Sequence, residues 1–127
     1  MVESFKTLVL GASLKPERYS YKAIELLKQN NMPVVAVGLR PGFVSGVKID
    51  TEPKYFEHIH TVTLYLNPKR QESFVDYILM LNPKRVIFNP GTENPVFYKI
   101  LEQHHISYEI ACTLVLLSTY QYQPYEG

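Results

Sequence analysis

Short apolar runs alternate with amphipathic stretches along the chain. Thr7–Leu10, Val34–Val37, Thr61–Leu66, Arg85–Phe88 and Ser107–Ile110 each read as a β-strand. Between them the apolar positions recur at helical spacing. Ala23, Ile24 and Leu27 form one stripe, with Ser20 as the expected cap before it and Pro33 closing the segment after it. Phe74, Ile78 and Leu81, flanked by Val75 and Leu79, form a second. Asn67-Pro68 opens that helix as a cap followed by proline at the first helical position, where the missing N–H costs nothing. Asn94-Pro95 repeats the signal before Val96, Ile100 and Leu101. Thr113–Tyr120 reads as a last helix.

Strands that are nearly continuous in apolar residues suit a parallel sheet buried on both faces. Alternation with helices then gives an α/β protein with right-handed crossovers. The expected architecture is a Rossmann-like three-layer sandwich: a five-stranded parallel sheet of order 3-2-1-4-5 with helices on both faces. The stretch Gly38 to Phe56 is rich in loop residues, and Val47–Ile49 within it has the pattern of a short extra strand. The polar, aromatic end from residue 119 to 127 is expected to be a surface tail.

Composition narrows this outline. With 127 residues and 46% hydrophobic content, residues 1–127 are expected to form one domain with a real core. The formal charge of +1 gives no general attraction to nucleic acid, so anion binding needs a local cluster. A single cysteine excludes an internal disulfide framework and suits a reducing compartment. No stretch reads as a signal peptide or membrane span, so a cytoplasmic protein without membrane or nucleic-acid partners is expected.

In such a sheet, ligands bind beyond the carboxyl ends of the strands. The loop "GASLKPERYS" after the first strand lies there. Gly11, Ala12 and Ser13 allow close backbone approach, Ser13 and Ser20 add hydroxyls, and Lys15 and Arg18 add positive charge beside a helix N-terminus. The plainer reading is a tight turn with solvated charges. Tyr21 has two readings, as a stacking surface for the ligand or as cover for the first helix. The second strand ends "VAVGLRPG". An NAD-binding domain places an acid there for the ribose hydroxyls. Here Arg40 stands nearby instead, which suits a ribose bearing a phosphate: the 2′-phosphate of NADP or the 3′-phosphate of coenzyme A.

Taken together, "VLGASLKPERYSY", "YLNP", "FNPGTEN" and "ACT" resemble the small stand-alone CoA-binding proteins. Their fold is similar to the CoA-binding domain of the succinyl-CoA synthetase α subunit. The resemblance spans roughly Lys6 to Tyr120. It implies coenzyme A or an acyl-CoA as the small-molecule ligand, with Gly11, Ala12, Ser13, Arg18 and Ser20 at the phosphates and Val37 and Arg40 near the adenosine. It also implies that Leu66, Asn67 and Pro68 line the nucleotide or pantetheine path, that Gly91 and Asn94 belong to the next loop, and that Cys112 matches a frequent cysteine of the family. Two segments depart from the family pattern: "VGLRPG" stands where "VNP" is common, and "NPG" where Gln or Leu often precedes the glycine.

No catalytic set and no metal site is expected. His58, His60, His104 and His105 lack zinc-site spacing with Cys112. Cys112, at the start of the last helix, reads more simply as a small core residue than as a nucleophile. Glu17 and Glu93 stand on the binding edge without an evident partner base. Three functions compete: a CoA-binding module without catalysis, an NADP-binding redox enzyme or sensor, and an interaction protein that has lost its ligand. The absence of G-x-G-x-x-G weighs against the second, and the altered "VGLRPG" sustains the third.

Overall fold

The structure, a computed structural model, describes residues 5–123. Seven strands form one sheet: β1 (Thr7–Ala12), β2 (Val34–Gly38), β3 (Gly42–Val44), β4 (Val47–Asp50), β5 (Thr61–Leu64), β6 (Arg85–Phe88) and β7 (Ser107–Ile110). The helices are α1 (Tyr19–Gln29), α2 (Pro68–Gln71), α3 (Val75–Leu81), α4 (Pro95–Gln103) and α5 (Thr113–Ser118), with a single 3-10 turn, Glu72–Phe74, joining α2 to α3.

The sheet order is β3-β4-β2-β1-β5-β6-β7, parallel throughout except for the β3–β4 pair. This corrects the expected five-stranded order 3-2-1-4-5. The strand at Thr61 was expected beside Val34–Val37, but β5 pairs with β1 on the side away from β2. The place beside β2 belongs to β4, which lies parallel to it, Ala36 opposite Ile49. The physical reason lies in Val44, Val47 and Ile49. All three are buried, so this loop-rich stretch, in which Val47–Ile49 has the pattern of a strand, has an apolar face that the sheet edge can cover. Its turn, Ser45-Gly46, has positive φ at both residues (49° and 82°), the geometry that matches the twist of a two-residue hairpin.

Alternation along the strands builds two core layers. Leu8, Leu10, Val62, Leu64, Val86 and Phe88 face Ile78 and Leu81 of α3 and Phe97 and Leu101 of α4. Val9, Ala36 and Ile87 face Ile24 and Leu27 of α1 and Leu117 of α5. Phe88 meets Phe97 and Tyr98 edge to face, with centroids 5.7 and 4.7 Å apart. Helices on both faces of the sheet agree with the expected sandwich.

The second face is more polar at its amino end. Thr7, Thr61 and Arg85 stand opposite one another in register across β1, β5 and β6. Arg85 donates from Nε to Thr61 Oγ1 at 3.1 Å and from Nη1 to Glu109 Oε2 at 3.4 Å. Over this row lies Tyr122, only 2% exposed, its hydroxyl hydrogen-bonded to Thr7 Oγ1 and its ring 4.7 Å from the Arg85 guanidinium carbon. The chain end up to this point is therefore not a simple surface tail; residues 124–127 lie outside the described residues.

Candidate functional site

Gly11 starts the site. The register of β1 shifts between Leu10 and Ala12, and Gly11 takes up the irregularity at φ 97°. A β-carbon there would stand 3.0 Å from both the carbonyl carbon and oxygen of Tyr65, and 3.1 Å from Leu66 Cδ2. The carboxyl end of β1 thus lies directly against the loop after β5. On the other side, a β-carbon on Gly38 would collide with the Ala12 carbonyl oxygen. Both glycines let three strand ends converge where the sheet order runs outward from β1 in both directions, the switch point of a doubly wound sheet.

A cleft of about 890 Å3 opens above this convergence. From the first loop it is lined by Gly11, Ala12, Ser13, Lys15, Arg18 and Ser20. Val37 and Arg40 line it at the end of β2, and Leu66 after β5. Nine of the residues singled out in the sequence therefore meet in one cavity.

Helix α1 opens onto the cleft two residues earlier than its sequence suggests. Its N-cap is Arg18, with extended backbone and no side-chain capping bond, whereas Ser20 lies buried inside the first turn. The turn that sets this entry is closed by the Arg18 N–H donating to the Lys15 carbonyl at 3.0 Å. Arg18 supplies no capping oxygen to the first-turn N–H groups, a favourable environment for an anion. Ser13 Oγ accepts the Lys15 N–H at 3.1 Å, which leaves its own proton free to donate outward. Lys15, Arg18 and Arg40 form no ion pair among the described residues.

Five of the singled-out residues do not line the cleft. Tyr21 packs, half-buried, against the α1–α5 core layer. Asn67 caps α2, its Oδ1 accepting the Arg70 N–H at 2.9 Å, and Pro68 takes the first helical position. Gly91, at φ 93°, donates its N–H to Glu93 Oε1 at 2.9 Å. Both ends of the Asn94 carboxamide are engaged: Oδ1 accepts the Phe97 N–H at 3.3 Å as the α4 cap, and Nδ2 donates to Gln71 Oε1 at 2.8 Å.

Gln71 is the hub that the sequence conceals. Fully buried, it donates from Nε2 to the carbonyls of Leu66 and Thr92, both at 2.8 Å. Buried Asn89 continues the framework, donating from Nδ2 to Thr63 Oγ1 (2.7 Å) and the Leu64 carbonyl (2.8 Å) and accepting the Thr113 N–H at 2.8 Å. These bonds fix the loops after β5 and β6 and the start of α5 relative to one another. No short motif announces Gln71, because its role comes from burial between two loops distant in sequence.

Other lining residues also escaped the sequence reading. Leu14, Leu39, Tyr65 and Phe74 supply apolar wall, and Arg70 and Ser73 supply polar groups after β5. For Arg70 a signal exists: the Asn67-Pro68 cap places it in the first helical turn beyond a strand's carboxyl end. Burial raises the Tyr65 phenol well above its ordinary value, so it stays protonated at neutral pH; its hydroxyl makes no geometrically acceptable hydrogen bond, although the Thr63 and Thr113 hydroxyls are close enough to offset the shift slightly.

The chain matches the CoA binding domain over residues 6–118. It belongs to that family. A crystal structure of an uncharacterized protein is 47% identical to this CoA-binding-domain chain, with a TM-score of 0.90 and coverage of 94% of this chain and 99% of that one. A Thermus thermophilus protein shares 20% identity at a TM-score of 0.82, covering 93% and 90% of the two chains. The dinucleotide-forming acetyl-coenzyme A synthetase 1 of Ca. Korarchaeum cryptofilum, solved with phosphate and ADP, shares 11% identity at 0.69, and the alignment covers 82% of this chain and 25% of that one. The last two likenesses concern the fold alone. No curated protein matches the chain. Among the described residues no three His, Cys, Asp or Glu side chains converge as metal ligands, and no helix is long and apolar enough to cross a membrane.

Proposed function

We propose that the protein binds coenzyme A or an acyl-CoA at the carboxyl edge of its sheet, as a binding module rather than a catalyst. One observation carries the reading: the cleft at the switch point holds unpaired Lys15, Arg18 and Arg40 beside the α1 N-terminus, with no acid at the end of β2. Membership of the CoA binding domain family supports it.

In this reading the diphosphate lies at Gly11–Ser13 and the first turn of α1. Ser13 donates its hydroxyl proton, and Arg18 and Lys15 neutralise charge. Arg40 meets the ribose phosphate, and Val37 and Leu39 line the adenosine end. Glu17 is the one acidic side chain in the lining, and neither His nor Cys accompanies it there. That composition favours holding a ligand over transferring a proton or an acyl group.

Calorimetric titration with CoA, dephospho-CoA and NADPH tests the proposal. The expected order is CoA tightest, with dephospho-CoA weakened by loss of the Arg40 contact. At 100 times its dissociation constant CoA should add about 2.7 kcal/mol of stability. Tighter binding of NADPH transfers the site to a nicotinamide cofactor, and no binding by any of the three leaves the interaction-protein reading.

A further inference from the structure

Four cationic side chains line the cleft, and Arg70 stands on the opposite side of β1 from Arg40. Across a doubly wound sheet, a nucleotide cofactor places its adenosine over the strand on one side of the switch point, its diphosphate at the first helix, and its remaining half over the other side. Here the first side is the end of β2, with Arg40 for the ribose phosphate. The middle is Lys15, Arg18 and the α1 N-terminus. The other side is the loop after β5, where Arg70, Ser73 and Phe74 line the cleft.

The pantetheine arm that would cross this side is uncharged. Yet Arg70, an exposed residue that lines the cleft, has no side-chain hydrogen-bond or ion-pair partner among the described residues. Its backbone is held in place, since its N–H donates to Asn67 Oδ1 at 2.9 Å. Phe74 beside it is half-buried, its ring edge-on to Tyr77 with centroids 6.4 Å apart. This end of the cleft therefore pairs a fixed apolar wall with an unused guanidinium fork. That combination fits a short methylene chain ending in a carboxylate, which arginine can grip with two parallel hydrogen bonds.

We propose that Arg70 selects the acyl group: the preferred ligand class is the CoA thioester of a dicarboxylic acid, with the free carboxylate on Arg70. This rests on the CoA reading above.

The test compares succinyl-CoA with butyryl-CoA, which share a four-carbon chain and differ in a terminal carboxylate against a methyl. Calorimetry on the full chain should give a succinyl preference of about tenfold or more, the factor of one charge-assisted contact. In Arg70→Met the ratio should fall to about one, while in Arg40→Met both affinities drop and the ratio is kept. A ratio near one in the unaltered protein overturns the proposal but leaves the CoA reading standing. So does a uniform loss in Arg70→Met with the ratio retained, which would assign Arg70 to the diphosphate. Failure of both thioesters and of CoA to bind removes the CoA reading itself, and this proposal with it.

Discussion

Asn94 donates its side-chain amide to Gln71 Oε1 at 2.8 Å, joining the loop after β6 to the helix after β5. The bond matters because the same Asn94 also caps α4. Asn94→Ala should cost about 1–2 kcal/mol of unfolding free energy as a lost cap. In a double-mutant cycle with Gln71→Ala, the two should couple by about 0.5–3 kcal/mol. Urea unfolding measures both. Additive behaviour would show that the loops are not tied through this pair.

The phosphate-side contacts should respond differently. Arg18→Ala should leave the urea midpoint almost unchanged, since the side chain is exposed and unpaired. It should reduce the ligand-induced gain in stability by about 1.5–3 kcal/mol, the range for a charge-assisted hydrogen bond. An unaltered CoA-dependent shift in melting temperature would remove Arg18 from the site.

Two glycines near the cleft should tolerate a methyl group unequally. At Gly38 the new β-carbon meets the Ala12 backbone carbonyl, which cannot move without disturbing the β1–β2 ladder. At Gly42 it meets Leu14 Cδ2 at 2.7 Å, the far end of a side chain that can change rotamer. Gly38→Ala should therefore cost at least the roughly 1–3 kcal/mol typical of overpacking, and Gly42→Ala clearly less. Thermal melts of the two variants decide it, and equal losses would contradict the geometry.

Much of this was legible in the chain. Six of the strands, the short one at Val47–Ile49 included, and every long helix follow from the apolar pattern, and both Asn-Pro pairs do cap helices. The first loop and Arg40 could be found because a glycine turn and a missing acid are local signals. Sheet order was not legible, because it depends on which edge buries Val44, Val47 and Ile49, a choice made by tertiary packing. Gln71 and Tyr122 were hidden for the same reason: polar side chains look solvent-facing until the partners that bury them are known.

Alkaline pH should expose the buried phenols. Burial raises Tyr65 and Tyr122 above the ordinary tyrosine value and pushes Tyr77, whose hydroxyl donates to the Lys54 carbonyl at 2.6 Å, up to about 12. Between the unfolded value of 10 and these higher folded values, the folded chain holds more protons than the unfolded one. Stability should therefore be flat up to about pH 10 and fall from there toward pH 12. Tyr77→Phe should make the decline shallower. A urea midpoint that holds steady from pH 10 to 11.5 would sink the idea.

Tyr122→Ala should destabilise by about 3–5 kcal/mol, as for other large buried aromatics, while Tyr122→Phe should lose only about 1 kcal/mol with its hydrogen bond. Chemical denaturation distinguishes them. A small effect of the alanine variant would mean that the chain end is dispensable.

That contact has a consequence for how the molecule can change. Tyr122 clasps Thr7 and Arg85 at the amino ends of the strands, whereas Gly11 and the cleft lie at the carboxyl ends, four residues or about 13 Å further along β1. Substitutions at that separation, with no shared partners, usually combine additively. A lineage, or an engineer, can therefore retune the recognition loops for a new ligand and recover lost robustness at the clasp, treating the two ends of one sheet as separate controls.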